Sequence, residues 1–531
     1  MRFRFAKGIP RAVAAAVLVG LVGLSVRPSA AEEKVLKMIP GGDLKILDPI
    51  QNASYITRNH GYMIYDTLFA LDSKNKIKPQ MVEKFTVSKD KKTYTFTLRP
   101  GLKWHDGAPV TAADCAASVK RWGAKDVSGR LLMAATDSVA VVNDKTFTLT
   151  LKEPYGLVLE SLGKPSSNVP FMMPERVAKT DPNQQITDYT GSGPFIFKKD
   201  EWVPGSKVVY VKNPSYVPRK EPADGLAGGK VVKVDRVEWT YIPDQNTALA
   251  AFTNGEADIF ELPQADFLGT LEKTKGVALA KDALGNQGWL RPNHLHPPFN
   301  NPKARQALLY VVNQDEYLAA AGFPEKYRLK ACGAYFMCGG PNATEAGAEP
   351  VKRGQNLVKA KQLLKEAGYK GEKVIVLTPS EPPLQAAAAQ VTVQNLKKIG
   401  LNVEAQAMDW STLLARRAKK DPPDKGGWSI FHTYSVGFDV ASPVTNAYLQ
   451  GACEEGPAGW SCDPEMEKLR MAWAKESDPA KRKKLTDTIQ KRAYEMVPYV
   501  NFGQFFQPMA YRTNLKGLIN IGVPVLWNVE K

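Results

Sequence analysis

The chain has 531 residues, 44% hydrophobic, 24% charged and 9% aromatic, with a formal net charge of +17. That composition excludes a disordered, collagenous or low-complexity chain and leaves length for about two to four domains. Its Lys and Arg residues are spread along the whole sequence, which argues for solubility and weak attraction to anionic membrane surfaces rather than a nucleic-acid partner.

The N-terminus has a composition of its own. "MRFRFAKGIPR" carries Arg2, Arg4, Lys7 and Arg11 without an acid, and the apolar run Ala12–Val26 and the small residues "SAA" follow. This order reads as a secretion signal over residues 1–31, cut after Ala31. A membrane anchor is the alternative, but fifteen apolar residues fall short of the ~20 needed to span hydrocarbon. Cleavage would remove five basic residues and no acid, lowering the net charge from +17 to +12. The expected mature protein lies outside the cytoplasm.

The next part of the chain is rich in strands. "KTYTFTLRP" alternates Tyr94, Phe96 and Leu98 with threonines, and "VAVVNDKTFTLTLKEP" forms a hairpin around Asn143-Asp144. "PFIFKKDEWVPGSKVVYVKNPSY" makes another strand pair around Pro204-Gly205. Between them, "TAADCAASVKRW" places Cys115 on one face with Ala112, Ala116 and Val119, a buried thiol.

From Asp235 the pattern changes. A strand "VDRVEWTYI", a helix "DQNTALAAFTNG" and a strand "EADIFELP" succeed one another. "NPKARQALLYVVNQDEYL" begins a helix with Asn301 as cap and Pro302 at the first helical position. A helix over "NLVKAKQLLKEAGYKG" precedes the strand "KVIVLTP", the helix "PLQAAAAQVTVQNLKKIG" and the strand "LNVEAQAMD". Strand, helix, strand is the crossover unit of parallel sheet. A long helix capped by Asp478-Pro479 follows, and short strands close the chain from Pro498.

Cys332 and Cys338 flank "GAYFM", and Cys453 and Cys462 flank "EEGPAGWS". In an oxidising compartment two local disulfides are expected, each worth roughly 2–3 kcal/mol in the chain-entropy model. Four cysteines still allow three pairings, and zinc is the alternative use. The five histidines, His60, His105, His294, His296 and His432, form no His-Glu-x-x-His. The nucleophile elbow, the phosphate loop and a strand-linked Gly-x-Gly-x-x-Gly are absent too. "LKWHDG" reads as a turn, and "RPNHLHPPF" as loop structure with metal as the lesser option. No cofactor or metal is expected, and the balance leans toward binding rather than catalysis.

"GGDLKILDP", "YDTLFALD" and "KTYTFTLRPGLKWHDGAPVTAADCAASVKR" occur in that order, followed by "GSGPFIF", "VKNPSY" and "GEADI". "PPFNNPKARQALLYVVNQDEY" and "KAKQLLKEAGY" complete the series. Along nearly all its mature length the chain thereby resembles the family 5 extracellular solute-binding proteins of bacterial ABC importers for peptides and nickel. The resemblance implies an α/β periplasmic binding protein fold of type II-like kind, with two lobes joined by two crossovers around a ligand cleft. The first lobe would hold 32–284 and 505–531, with an extra β-rich subdomain near 66–189; the second would hold 285–504. It also implies a monomeric periplasmic receptor that hands a peptide or small solute to an inner-membrane permease by hinge closure, without catalysis. An opine, an oligosaccharide or a nickel chelate is the alternative ligand, and an exported hydrolase the alternative class.

Peptide-binding members of that family carry Asp-x-x-(Asp/Glu)-Pro, whose first aspartate pairs with the ligand's α-ammonium. Here the matching residues are Asp439-Val440-Ala441-Ser442-Pro443, so the first acid stands and the second is a serine. Asp439, in a Gly/Pro-bounded loop, is therefore the expected ammonium partner, with turn-stabilising hydrogen bonds as its alternative role. Tyr434 and Phe438 beside it are further candidates, as are Tyr55 and Thr57 in the loop after "LDP". Phe260 and Glu261 after "GEADI" and Phe505 near the return crossover complete the set.

Overall fold

The computed structural model describes residues 33–531; the expected leader and its cut after Ala31 lie outside the described residues. Two large sheets organise the chain. The first has seven strands in the order 277–280, 509–512, 259–260, 35–39, 236–240, 207–212 and 195–197. The second has five, in the order 402–408, 373–379, 430–436, 286–292 and 500–505. The chain passes between them twice, over residues 281–285 and 506–508. A four-stranded antiparallel sheet from 82–151 packs its Phe96, Phe147 and Leu149 face into the core beside the first sheet.

The crossover unit forms as expected. Strands Lys373–Pro379 and Asn402–Met408 pair in parallel over seven residues, joined by the helix Pro383–Lys398. Val374, Ile375, Val376 and Leu377 are buried, the continuous apolar run of a strand covered on both faces. The helix that opens at Asn301 stops at Leu309, and a second one runs Gln314–Ala320. Asn313 divides them because its side chain accepts the N–H groups of Asp315 and Glu316 as a new N-cap.

The recurring motifs turn out to be structural anchors. Asp48 of "LDP" takes a two-pronged ion pair from Arg121, with Nη1 to Oδ1 at 3.1 Å and Nη2 to Oδ2 at 2.7 Å. It also accepts the N–H groups of Ile50, Gln51 and Ile186. Thr111 and Asp114 of "VTAAD" form a capping box on the helix Ala112–Lys125. His105 is half-buried; its Nδ1 accepts the Gly191 N–H, and Nε2 donates to the Gly193 carbonyl. A β-carbon on Gly191 would lie 1.7 Å from the Ile64 carbonyl oxygen, so "GSGPF" needs glycine there to let the two backbones meet.

Cys332–Cys338 and Cys453–Cys462 are disulfides with Cα separations of 5.8 and 3.9 Å. Cys115 is a free, fully buried thiol whose pKa burial pushes up. His294 is half-buried, with its Nε2 shielded from solvent and the charges of Arg305 and Arg291 nearby, and His296 Nε2 meets the Lys420 carbonyl. Among the described residues no three His, Cys, Asp or Glu side chains are placed to hold a metal. No helix among them is long and apolar enough to cross a membrane.

Candidate functional site

Asp439 does not stand in a loop. Residues 430–436 form a buried strand of the second sheet, and the chain turns from it into the one-turn helix Gly437–Val440, where Asp439 sits. The β-branched and aromatic run "IFHTYSV" between Gly427 and Gly437 carried that signal. Tyr55 and Thr57 likewise belong to a helix, Tyr55–Ile64, which begins after Ser54. That helix packs against the first sheet's edge strand Phe195–Phe197. Tyr55 and Asp439 are thus presented by the two different sheet layers.

They meet. Tyr55 Oη donates to Asp439 Oδ2 at 2.7 Å and accepts the Val436 N–H at 3.0 Å. Burial, and then the Asp439 charge, hold the phenol pKa well above its ordinary value, so the hydroxyl remains a donor. Asp439 Oδ1 is shielded from solvent and has no hydrogen-bond partner. Burial raises the Asp439 pKa, while Lys164, the Tyr55 hydroxyl, Arg58 and Ser166 counteract that rise by favouring the charged form. A buried carboxylate with one empty oxygen is costly unless something cationic or donating completes it.

Two cavities flank this contact, and Tyr55 and Tyr434 line both. The larger, ≈ 260 Å³, is bounded by Asp439, Lys164, Asn168 and Tyr448. Lys164 is ion-paired with Asp126, the N-cap of the helix Val127–Ala135. The smaller, ≈ 80 Å³, is bounded by Arg58, Glu261, Asn286 and Met509. Glu261 follows the strand Ile259–Phe260 and accepts the Gly41 N–H at 2.7 Å and Asn59 Nδ2–H at 2.6 Å. Burial raises its pKa too.

The other sequence candidates lie around these cavities rather than on their walls. Phe260 is 1% exposed and packs with Ile39, Ala248 and Phe252 under the helix Gln245–Thr253. Its place in the strand alternates with that of Glu261, so one side chain enters the core while the next reaches the cleft. Thr57 is turned inward, donating to the Ile46 carbonyl at 2.8 Å. Phe505 is fully buried, with its ring 4.6 Å from Phe323 and 5.8 Å from Tyr434, and so backs Tyr434 from behind. Phe438 packs with Leu284, Met337 and Val440.

Several residues at the site were not anticipated. Arg58 lies one helical turn after Tyr55, at the i+3 position of the same face, and would have followed from recognising that helix. Asn286 and Met509 arrive with strands whose position depends on the sheet order. Nothing in "GKPSSN" marks Lys164.

The description "Bacterial extracellular solute-binding proteins, family 5 Middle" matches residues 76–456 of this chain. A probable peptide ABC transporter periplasmic-binding protein of Sinorhizobium fredii is 41% identical over 512 residues, covering 96% of this chain and 95% of that relative. The glutathione-binding protein of Escherichia coli strain K12 is 26% identical, covering 94% and 95%. Among solved structures, the periplasmic binding protein DppA of Helicobacter pylori in complex with the peptide STSA superposes with a TM-score of 0.78 at 22% identity. That match covers 94% of this chain and 98% of the other.

Proposed function

The chain belongs to the bacterial extracellular solute-binding proteins of family 5, and from that membership we propose that it is a periplasmic receptor of an ABC importer for peptides or peptide-like, amine-bearing solutes. The observation that carries the ligand reading is Asp439 Oδ1, a buried carboxylate oxygen without a partner at the wall of the cleft. An α-ammonium is a strong complement for it, because a charge-assisted hydrogen bond offsets desolvation on both sides. The S. fredii relative, named for peptide transport, supports the same reading.

In this reading the lobes are residues 32–284 with 505–531, and residues 285–504, with 66–189 as an extra subdomain. Ligand contacts from both lobes favour the closed state through their differential affinity. The receptor then delivers its solute, chemically unchanged, to an inner-membrane permease. It acts as a monomer after removal of its leader.

Native mass spectrometry of purified protein identifies the co-purified solute, and calorimetric titration with that solute tests Asp439. Asp439→Ala leaves an enclosed ammonium unpaired, and truncating one partner of such a pair costs about 2–5 kcal/mol. Affinity should fall roughly 30- to several-thousand-fold, mainly through the off-rate. Asp439→Asn, which keeps shape but not charge, should lose most of the same affinity. A folded Asp439→Ala protein binding an amine-bearing solute within threefold of wild type would reduce Asp439 to a structural partner of the Tyr55 hydroxyl.

A further inference from the structure

Arg58 is 3% exposed and lines the smaller cavity, yet its hydrogen-bond partners are all neutral. Nη1 donates to Ser166 Oγ at 2.8 Å, and Nε and Nη2 donate to Asn59 Oδ1 at 3.1 and 2.9 Å. The guanidinium face lies over the Tyr55 ring, 4.8 Å from its centroid. Two other buried guanidinium groups in this protein are paired with an acid. Arg121 has Asp48, and Arg470 has Glu467. Arg291 and Arg305 have no ion pair and lean on main-chain carbonyls, those of Ala458, Tyr448 and Pro498 for Arg291, whose Nη2 stays unpartnered, and those of Met496, Phe299 and Asn300 for Arg305.

The nearest acids do not neutralise Arg58. Glu261 is engaged by Gly41 N–H and by Asn59 Nδ2–H, so the Asn59 amide stands between the two charges, bonded to both. Asp439 feels Arg58 only at a distance. A guanidinium has five N–H groups, and Arg58 uses three of them on protein. The two that remain are on its terminal nitrogens, the pair that a carboxylate grips in two-pronged fashion.

Resting on the reading of Asp439 as an ammonium partner, we propose that Arg58 receives the carboxylate of the same solute, so that the receptor selects short zwitterions of one or two residues. The Tyr55 ring is the spacer between the two charged groups. One of its faces carries Arg58, and its hydroxyl touches Asp439. The 4.8 Å stack, half the phenol length and the 2.7 Å hydrogen bond place the guanidinium at most on the order of 10 Å from the carboxylate oxygen. An extended peptide advances about 3.3–3.6 Å per residue, so longer peptides would carry their carboxylate past Arg58. The modest cavities, ≈ 260 and ≈ 80 Å³, agree with a small solute.

The test titrates Ala-Ala, Ala-Phe and Lys-Ala, each as free acid, C-terminal amide and N-acetyl derivative, against wild type, Arg58→Gln and Asp439→Asn. On wild type the best free acid should bind at least 30-fold tighter than its amide and than its N-acetyl form. In Arg58→Gln, acid and amide should bind within threefold of each other while the N-acetyl form is still rejected. If amide and acid bind wild type equally and the N-acetyl form is rejected, Arg58 has no such role and the Asp439 reading survives. If no form of any dipeptide binds, both readings fall. Should Arg58→Gln fail to melt cooperatively, the acid-against-amide comparison on wild type decides alone.

Discussion

Replacing Tyr55 by Phe isolates what holds the two lobes together at the site. The substitution keeps the ring, its stack on Arg58 and its share of both cavity walls, and removes only the hydroxyl. That hydroxyl donates to the Asp439 carboxylate and accepts the Val436 N–H. A hydrogen bond to a charged group is worth about 1.5–3 kcal/mol and a neutral one about 1 kcal/mol. In an open form water would satisfy all three groups, so the loss falls on the closed state alone. Closure should weaken by about 2–4 kcal/mol, or roughly 30- to 1,000-fold in the apparent affinity of any solute that binds only the closed form. If the solute's own ammonium satisfies Asp439, only the Val436 contribution remains and the loss shrinks to about fivefold. Calorimetric titration with the co-purified solute reads the affinity. Small-angle scattering of ligand-free protein reads the population shift as a larger radius of gyration in Tyr55→Phe. An affinity within twofold of wild type, together with an unchanged radius of gyration, would refute the idea that this contact latches the lobes.

Two further outcomes follow from the same geometry. Asp48→Ala leaves the Arg121 guanidinium buried and unpaired, so stability should drop by about 3–5 kcal/mol, read as a lower urea midpoint at unchanged slope. Burial lowers the pKa of His60 and of His432 to about 3 and that of His105 to about 4. These depressed values mean that the unfolded chain takes up protons first as pH falls. Stability should therefore decline from about pH 6.5 downward, by on the order of 3 kcal/mol per histidine near pH 4. Raised values at Asp439 and Glu261 act oppositely; with three histidines acting together, urea midpoints between pH 7 and 4 should fall, and His432→Gln should flatten that fall if it folds.

The local signals in this chain were readable because they are short-range. Asn301-Pro302 and Asp478-Pro479 cap helices, and both were legible as such. The alternation in Thr93–Leu98 and Thr146–Leu151 belongs to strands that pair with each other. The motifs that carry the family resemblance were legible for the same reason, since Thr111 and Asp114 or Asp106 and Ala108 bond within a few residues. Yet those motifs build the scaffold. Asp48 serves Arg121, and His105 serves Gly191 and Gly193, away from the cleft.

The site itself is long-range. Tyr55 and Asp439 are separated by 384 positions and touch only because the two sheets face each other. Strand Met509–Arg512 inserts between strands 259–260 and 277–280, bringing Met509 to the cavity wall from the far end of the chain. Periodicity could mark Phe260 and Glu261 as neighbours on a strand, but not which of them faced the core. That choice depends on the helix Gln245–Thr253 packing over one side of the sheet, where an apolar ring gains by burial and a carboxylate does not. The sequence by itself determined the elements, their caps and the scaffold anchors. Only the tertiary structure decided which acid at the cleft is left half-satisfied and that the arginine on the cavity wall meets no counter-charge, because both depend on groups distant in the chain that folding brings, or fails to bring, within hydrogen-bond reach.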